Sequence, residues 1–137
     1  MGKRIREVMT PSPETVEPGQ PVAEAAKLMK QADVGMIPVV QEGQLSGTVT
    51  DRDIVLRVIA EGKSPASTTV GEIASGEVVT VDPEQELEEA LELMSKHQVR
   101  RLPVVENGRL IGVLAQADVA REGDEREVGR TVEQISR

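Results

Sequence analysis

The chain contains one folding pattern twice, with a spacing of 65 residues. Residues 37–40 read Ile-Pro-Val-Val and residues 102–105 read Leu-Pro-Val-Val, and the alignment continues without a gap from residues 5–54 onto residues 70–119. A long period that occurs twice predicts two small domains packed as a pair, because a solenoid needs three or more stacked units. We therefore expect function to reside between the two halves.

Composition limits the partners that such a chain can bind. It has 137 residues, a formal net charge of -8, and no Phe, Tyr, Trp or Cys. The negative charge repels a phosphate backbone and no aromatic ring can stack on a base, so nucleic acid is not expected as a partner. Without Cys, disulfides and thiolate metal sites are excluded. No run is apolar enough for a signal peptide or membrane span, which favours a cytoplasmic protein and no membrane partner.

Both halves show the same order of helices. Apolar residues at helical spacing follow Pro21 and recur from Leu87, which predicts one amphipathic helix in each half. A second helix is predicted at about residues 51–60 and again at about 116–121. His97 is expected to end a helix, where a cation is favourable, rather than to bind zinc.

Two short β-rich runs lie between the helices of each half. The first copy has residues 36–40 and 45–49, and the second copy has Asn-Gly at 107–108 between its runs, which strongly indicates a hairpin. Pro38 and Pro103 cannot donate a hydrogen bond to a ladder, so an edge position with an open rim is expected for both.

These patterns set the predicted boundaries of the chain. Residues 1–59 form the first unit with an N-terminal segment, residues 60–69 a linker, and residues 70–122 the second unit. Residues 123–137 form a polar tail in which Val128, Val132 and Ile135 have helical spacing, and this tail is predicted to form a short helix that docks on a partner chain.

The most specific chemical feature is the turn at residues 47–53, where a strand passes into a helix. One interpretation is structural: Thr50 and Asp53 form a variant of the capping box, which contributes about 1 kcal/mol. The other is functional: a hydroxyl, a carboxylate and exposed helix N–H groups suit a ribose diol and an adjacent phosphate. The turn by itself leaves both interpretations open.

With this turn in both strand-hairpin-helix units, the chain resembles the tandem CBS-domain (Bateman) module, in particular small bacterial stand-alone CBS pairs of the hypoxic-response type. The resemblance covers residues 5 to about 122 and rests on residues 8–10, 34–40, 47–53, 97–105 and 112–118. It implies an α/β (α+β) fold of two β-α-β-β-α units packed as a pseudo-two-fold pair, which assembles into a disc-like homodimer. It also implies regulatory binding of an adenosyl ligand such as AMP, ADP, ATP or S-adenosylmethionine, without a required cofactor.

The resemblance carries the ribose motif of the family onto Thr50 and Asp53. In the second half the motif falls on Ala115 and Asp118, and because Ala115 lacks the hydroxyl, this second site is expected to be degenerate. The backbone around Val16 and residues 36–38 (Met36, Ile37 and Pro38) is expected to flank the base.

Arginines are expected to meet the phosphate of the ligand. The resemblance places Arg100 and Arg101 opposite the Thr50 and Asp53 motif, with Arg52 nearby, whereas their counterparts Gly35 and Met36 bring no charge to the second site. The alternative is that these arginines are solvated or paired with glutamates. Together these residues predict one nucleotide site per chain, with AMP as the first choice of ligand.

Two further function classes compete with a ligand sensor. A structural dimerisation or interaction module without a small molecule is the alternative, since capping can explain the first turn. An enzyme is not expected, because no metal-ligand cluster, P-loop or nucleophile elbow is present. A regulated partner protein is implied but not identified by the sequence.

Overall fold

The computed structural model describes residues 2–126, which form two compact units. The first-repeat unit contains residues 13–78 and 107–110, and the second-repeat unit contains residues 2–12, 79–106 and 111–126. The elements in chain order are α1 (Ile5–Val8), β1 (Thr10–Pro11), α2 (Val22–Ala32), β2 (Met36–Gln41), β3 (Gln44–Thr50), α3 (Asp51–Ile54) with a π-helical continuation (Val55–Ile59), α4 (Val70–Ile73), α5 (Leu87–His97), β4 (Arg101–Glu106), β5 (Arg109–Ala115) and α6 (Gln116–Arg126). The predicted tail helix lies largely outside the described residues.

The short helix that begins each repeat packs into the other repeat. Ile5 of α1 is fully buried in the core of the second-repeat unit, and its N–H donates to the Gln85 carbonyl at 2.9 Å. Val70 of α4 is fully buried in the core of the first-repeat unit, and its N–H donates to the Gln20 carbonyl at 2.8 Å. The compact units therefore differ from the boundaries predicted by sequence, which placed each short helix with the residues that follow it.

The two long helices confirm the predicted amphipathic pattern. Helix α2 buries Val22, Ala25 and Met29, and α5 buries the equivalent Leu87, Ala90 and Met94. Each helix is followed by one residue in the left-handed region, Asp33 and Gln98, both with φ of 57°. Helix α5 ends at His97, as predicted.

Each repeat contains the predicted hairpin. Strands β2 and β3 pair antiparallel, with Met36 opposite Thr50 and Pro38 opposite Thr48. Glu42-Gly43 and Asn107-Gly108 both have positive φ at the two central positions, as a type I′ turn requires. The Glu-Gly of the first repeat therefore forms the same type of turn as the Asn-Gly of the second repeat.

Pro38 and Pro103, which occupy equivalent positions in the two repeats, lie at the outer edge of their strands. The Pro38 carbonyl accepts from Val16 N at 3.1 Å, and the Pro103 carbonyl accepts from Val81 N at 3.1 Å. In a strand the N–H and C=O of one residue point to the same side, so the missing N–H of each proline faces away from the hairpin ladder. The segment that precedes the long helix of each repeat pairs with this outer edge in a parallel bridge, at Val16 in the first repeat and at Val81 in the second.

The two cores share nine repeat positions, and the first core has Val58 and Ile73 in addition. They contain only aliphatic side chains, in agreement with the composition. The first core consists of Val16, Val22, Ala25, Met29, Ile37, Val39, Val49, Ile54, Val58, Val70 and Ile73. The second core consists of Ile5, Val81, Leu87, Ala90, Met94, Leu102, Val104, Leu114 and Val119.

Gly47 and Gly112 permit a segment of backbone to approach the hairpin closely. A Cβ on Gly47 would lie 2.5 Å from the Ser75 carbonyl oxygen, and one on Gly112 would lie 2.9 Å from the Thr10 carbonyl oxygen. Thr48 and Ser75 exchange backbone hydrogen bonds of 3.0 and 2.9 Å at this contact. A glycine is present at this position in both repeats because it allows a segment from outside the hairpin to form backbone pairing with the hairpin strand.

We expect Gly47→Ala to lower the free energy of unfolding by about 1–3 kcal/mol, because the added methyl group meets fixed backbone. Gly112→Ala should act in the same direction. Gly19→Ala is the matched control, since no atom lies within 4 Å of its Cβ. Urea denaturation followed by circular dichroism measures the three variants, and equal stability of all three would contradict this account of Gly47.

Candidate functional site at the turn between β3 and α3

Thr50 and Asp53 form a reciprocal cap at the start of α3. The Asp53 N–H donates to Thr50 Oγ1 at 3.0 Å, and the Thr50 N–H donates to Asp53 Oδ2 at 2.9 Å. Thr50 is extended, with φ of -118°, and is the N-cap residue. The turn therefore contains the capping box that its structural interpretation predicts.

The first amides of α3 are already occupied by protein acceptors. The Asp51 N–H donates to the Gly35 carbonyl at 3.0 Å, and the Arg52 N–H donates to Asp51 Oδ1 at 2.8 Å. With the Asp53 N–H bound to Thr50, the first three helical amides are satisfied, and a carboxylate lies beside them. The prediction of exposed N–H groups that receive a phosphate was therefore wrong.

Two polar atoms of the cap keep unused bonding capacity. Within residues 2–126 the Thr50 hydroxyl accepts one hydrogen bond and donates none, and Asp53 Oδ1 accepts none. The side chain of Asp53 is 17% exposed. A hydroxyl donor beside a carboxylate oxygen can bind two neighbouring hydroxyl groups, so the cap does not exhaust the chemistry of either residue.

The residues predicted to flank a base lie in the same unit as the cap, but their side chains are mostly internal. Val16 and Ile37 are each 1% exposed, and Pro38 is buried. Met36 is half-buried and lies opposite Thr50 in the β2–β3 ladder. Contact with a base is therefore limited to the Met36 side chain and to the backbone of this group.

The equivalent turn of the second repeat has a different arrangement. The Gln116 N–H donates to the Arg100 carbonyl at 2.8 Å, which matches the bond between Asp51 and Gly35. Ala115 offers no hydroxyl, and the Asp118 carboxylate accepts from the Arg121 guanidinium. The local backbone is thus repeated while the polar atoms of the first turn are not.

The three arginines predicted near a phosphate do not belong to one unit. Arg52 belongs to the first-repeat unit, whereas Arg100 and Arg101 belong to the second-repeat unit. Arg52 and Arg100 are exposed, and Arg101 is half-buried at the start of β4. Among the ion pairs of the described part of the chain, none involves these side chains, so the expected alternative of pairing with glutamate is not observed there.

Arg57 is a charged neighbour of the cap that the sequence analysis missed. Its Nε lies 3.9 Å from Asp53 Oδ1, and its Nη1 donates to the Ile73 carbonyl at 3.0 Å. The spacing of four residues from Asp53 on a predicted helix was the signal that could have identified it.

The described residues contain neither a metal-binding cluster nor a helix suited to span a membrane. No group of three or more His, Cys, Asp or Glu side chains in residues 2–126 could hold a metal ion. In the same range, none of the helices combines the length and apolar character needed to cross a membrane.

Comparison with known proteins identifies the family. The model of the CBS domain matches residues 5–60 and 70–125. The chain is 47% identical over 116 residues to the CBS domain-containing protein YhcV of Bacillus subtilis, covering 85% of this chain and 82% of that protein. It is 35% identical over 131 residues to Hypoxic response protein 1 of Mycobacterium tuberculosis, covering 95% and 92%.

Solved structures agree with this assignment. A crystal structure of Hypoxic Response Protein I with two coordinated zinc ions has a TM-score of 0.81 at 36% identity, covering 87% of this chain and 98% of that one. The CBS domain pair of protein MJ0100, in complex with 5-methylthioadenosine and S-adenosyl-L-methionine, has a TM-score of 0.81 at 25% identity, covering 93% and 100%.

The chain therefore belongs to the CBS-domain family, and it consists of two CBS domains in tandem. The predicted resemblance and the mixed α/β fold with two CBS repeats are confirmed.

We expect Thr50→Ala to lower the free energy of unfolding by about 1 kcal/mol, because the Asp53 N–H loses its acceptor. Thr50→Ser retains the hydroxyl and should stay within about 0.5 kcal/mol of the unaltered protein. Thermal unfolding followed by circular dichroism is the measurement. A Thr50→Ala protein as stable as the Thr50→Ser protein would show that the cap contributes little.

Proposed function

We propose that the protein is a non-catalytic regulatory module that binds an adenosine-containing ligand through Thr50 and Asp53. The observation that carries this proposal is the unused capacity of the cap: the hydroxyl can donate to one ribose oxygen while Asp53 Oδ1 accepts from a ribose hydroxyl. The complex of the MJ0100 CBS pair with two adenosyl compounds supports the class of ligand.

The charge around the cap favours a ligand with little negative charge. The amides of α3 are occupied and Asp51 adds a carboxylate at the helix start, so this end of the helix repels a phosphate. Any phosphate must then be met by arginine, with Arg52 in the same unit and Arg100 and Arg101 as the predicted contributors from the second repeat. AMP is the proposed ligand ahead of ADP and ATP, because it carries the fewest phosphate charges, and S-adenosylmethionine, which has no phosphate, is the alternative.

The proposed role is to report ligand concentration to a partner protein in the cytoplasm. A ligand shifts a conformational equilibrium only by the difference in its affinity for the two states. Regulation in this protein therefore requires that the bound ligand stabilise one arrangement of the two CBS domains. The partner would recognise that arrangement.

Isothermal titration of AMP, ADP, ATP and S-adenosylmethionine into the protein tests the proposal. At least one should bind with a dissociation constant in the range of about 1–100 μM, equivalent to about 5.5–8.2 kcal/mol. Calorimetry is suitable because the chain has no Trp or Tyr for fluorescence. Absence of heat from all four would remove the sensor proposal and leave a structural module.

The two repeats should respond differently to loss of their carboxylates. Asp53→Asn removes the charge but keeps an oxygen that can accept from the Thr50 N–H, so the cap survives while diol binding weakens at least tenfold, about 1.4 kcal/mol. Asp118→Asn is the matched control and should leave the same titration unchanged. Equal losses in the two variants would overturn the assignment to the first turn.

We also propose that the protein is a homodimer and that one contact uses the exposed apolar face of the π-helical turn. Val55, Leu56 and Ile59 are 55%, 46% and 57% exposed. Exposed apolar clusters of this kind mark interaction sites. The equivalent positions on α6 include Ala120 and Arg121, so the second repeat lacks this face.

The proposed occupant of this face is α5 of a second copy. Leu91 of α5 is 41% exposed, and Glu88, three residues earlier, and Glu92, the next residue, are also exposed. The apolar face on the first repeat is flanked by Arg52 and Lys63, which are both exposed. Each surface has an apolar centre, and the flanking basic residues of one are opposite in sign to the acidic residues of the other, so in the proposed dimer each copy contributes both surfaces.

Ile59→Glu and Leu91→Glu should each convert the dimer to a monomer in light scattering, because each places a charge in the centre of the contact. Mixing the two variants should restore a heterodimer, since one of its two contacts is then unaltered. Val99→Glu, at another exposed apolar residue, is the control and should remain dimeric. Loss of the dimer in the Ile59 variant alone would exclude α5 as the occupant.

A further inference from the structure

We infer that Arg57 is a positioning residue for the ligand site, which holds the carboxylate of Asp53 in the orientation that a ribose diol requires. This inference rests on the proposed function, because it concerns the same turn. It adds a residue that neither the repeat pattern nor the family motif indicates.

The carboxylate of Asp53 has one direct hydrogen bond and one nearby positive charge. Its Oδ2 accepts from the Thr50 N–H at 2.9 Å, and its Oδ1 lies 3.9 Å from Arg57 Nε. The first contact fixes one oxygen to the backbone. The positive charge of Arg57 then attracts the second oxygen and limits rotation of the carboxylate about its bond to the side chain.

Arg57 itself donates a hydrogen bond to a buried residue of the first-repeat unit. Its Nη1 donates at 3.0 Å to the carbonyl of Ile73, which is the last residue of α4 and is 2% exposed. The last carbonyls of a helix have no partner within the helix, so this bond also completes the end of α4. A guanidinium can serve both sites at once because its N–H groups point in fixed, diverging directions.

The backbone conformation at Arg57 is uncommon. Residues Val55–Ile59 are π-helical, and the Ala60 N–H donates to the Val55 carbonyl, five residues earlier, at 2.8 Å. Single π-helical turns are rare and occur frequently at functional sites. This widened turn carries the Arg57 side chain one turn beyond Asp53.

The second repeat has no equivalent of this arrangement. The position that corresponds to Arg57 is Glu122, which pairs with Lys3 at 3.3 Å instead of with Asp118. Asp118 is contacted by Arg121, whose side chain is 66% exposed. The first turn, which has both a hydroxyl and a carboxylate, thus has beside it an arginine that is bound to a buried carbonyl. Among the described residues, the second turn, which lacks the hydroxyl, has no such arginine.

The test compares AMP, adenosine and 2′-deoxy-AMP by calorimetry on the unaltered protein and on Arg57→Gln. Because Arg57 acts through the diol contact, AMP and adenosine should both bind about fivefold more weakly to the variant, the size expected for an ion pair of this exposure. Binding of 2′-deoxy-AMP should change little, so the preference for the ribose hydroxyl should fall about fivefold. Arg121→Gln is the matched control and should leave all three affinities unchanged.

Each other outcome overturns the inference in a recognisable way. A loss confined to AMP and 2′-deoxy-AMP, with adenosine unaffected, would make Arg57 a phosphate ligand. An equal loss for all three ligands would show a general structural role, because the preference for the 2′-hydroxyl would be retained. If the unaltered protein binds AMP, and Arg57→Gln binds each of the three ligands as tightly as the unaltered protein does, the inference fails and the proposed function stands. If the unaltered protein binds none of the three, the inference fails, and the proposed function fails with it when ADP, ATP and S-adenosylmethionine also give no heat.

Discussion

The fold depends on the exchange of the two short leading helices. Ile5 completes the aliphatic core of the second repeat, and Val70 and Ile73 complete that of the first. A repeat of this size without aromatic residues has little apolar area to bury, so each additional aliphatic side chain is a large fraction of its stability. Because each core needs a segment from outside its own hairpin, neither repeat is a self-contained folding unit in the order of the sequence.

The same exchange explains the glycines of the hairpins and brings the connecting segment beside the candidate site. Gly47 lets the backbone at Ser75 pair with β3, and Ile73 just before it accepts the bond from Arg57. The turn with Thr50 and Asp53 is therefore linked, through Arg57, to the segment that leads into the second repeat.

The candidate site uses atoms that already stabilise the fold. Thr50 and Asp53 cap α3 with one set of lone pairs and retain a hydroxyl proton and one carboxylate oxygen for a ligand. Capping and binding were competing interpretations of the sequence, but they are chemically compatible because they employ different atoms of the same side chains. The cap fixes both side chains in the absence of a ligand, and under the proposed function this pre-organisation lowers the entropic cost of binding.

The sequence by itself determined the duplication, the aliphatic cores, the paired hairpins and the positions of Thr50 and Asp53, because repeat spacing and hydrophobic periodicity are local properties. Only the tertiary structure decided that Ile5 and Val70 pack into the opposite repeats, since a pattern aligned at a fixed spacing does not state which copy a side chain contacts. It also decided that the amides of α3 are filled by Gly35, Asp51 and Thr50, and that Arg57 reaches both Asp53 and Ile73. The packing of Ile5 and Val70, the bond from Asp51 to Gly35 and the bond from Arg57 to Ile73 join residues remote in the chain, and no local pattern encodes such contacts.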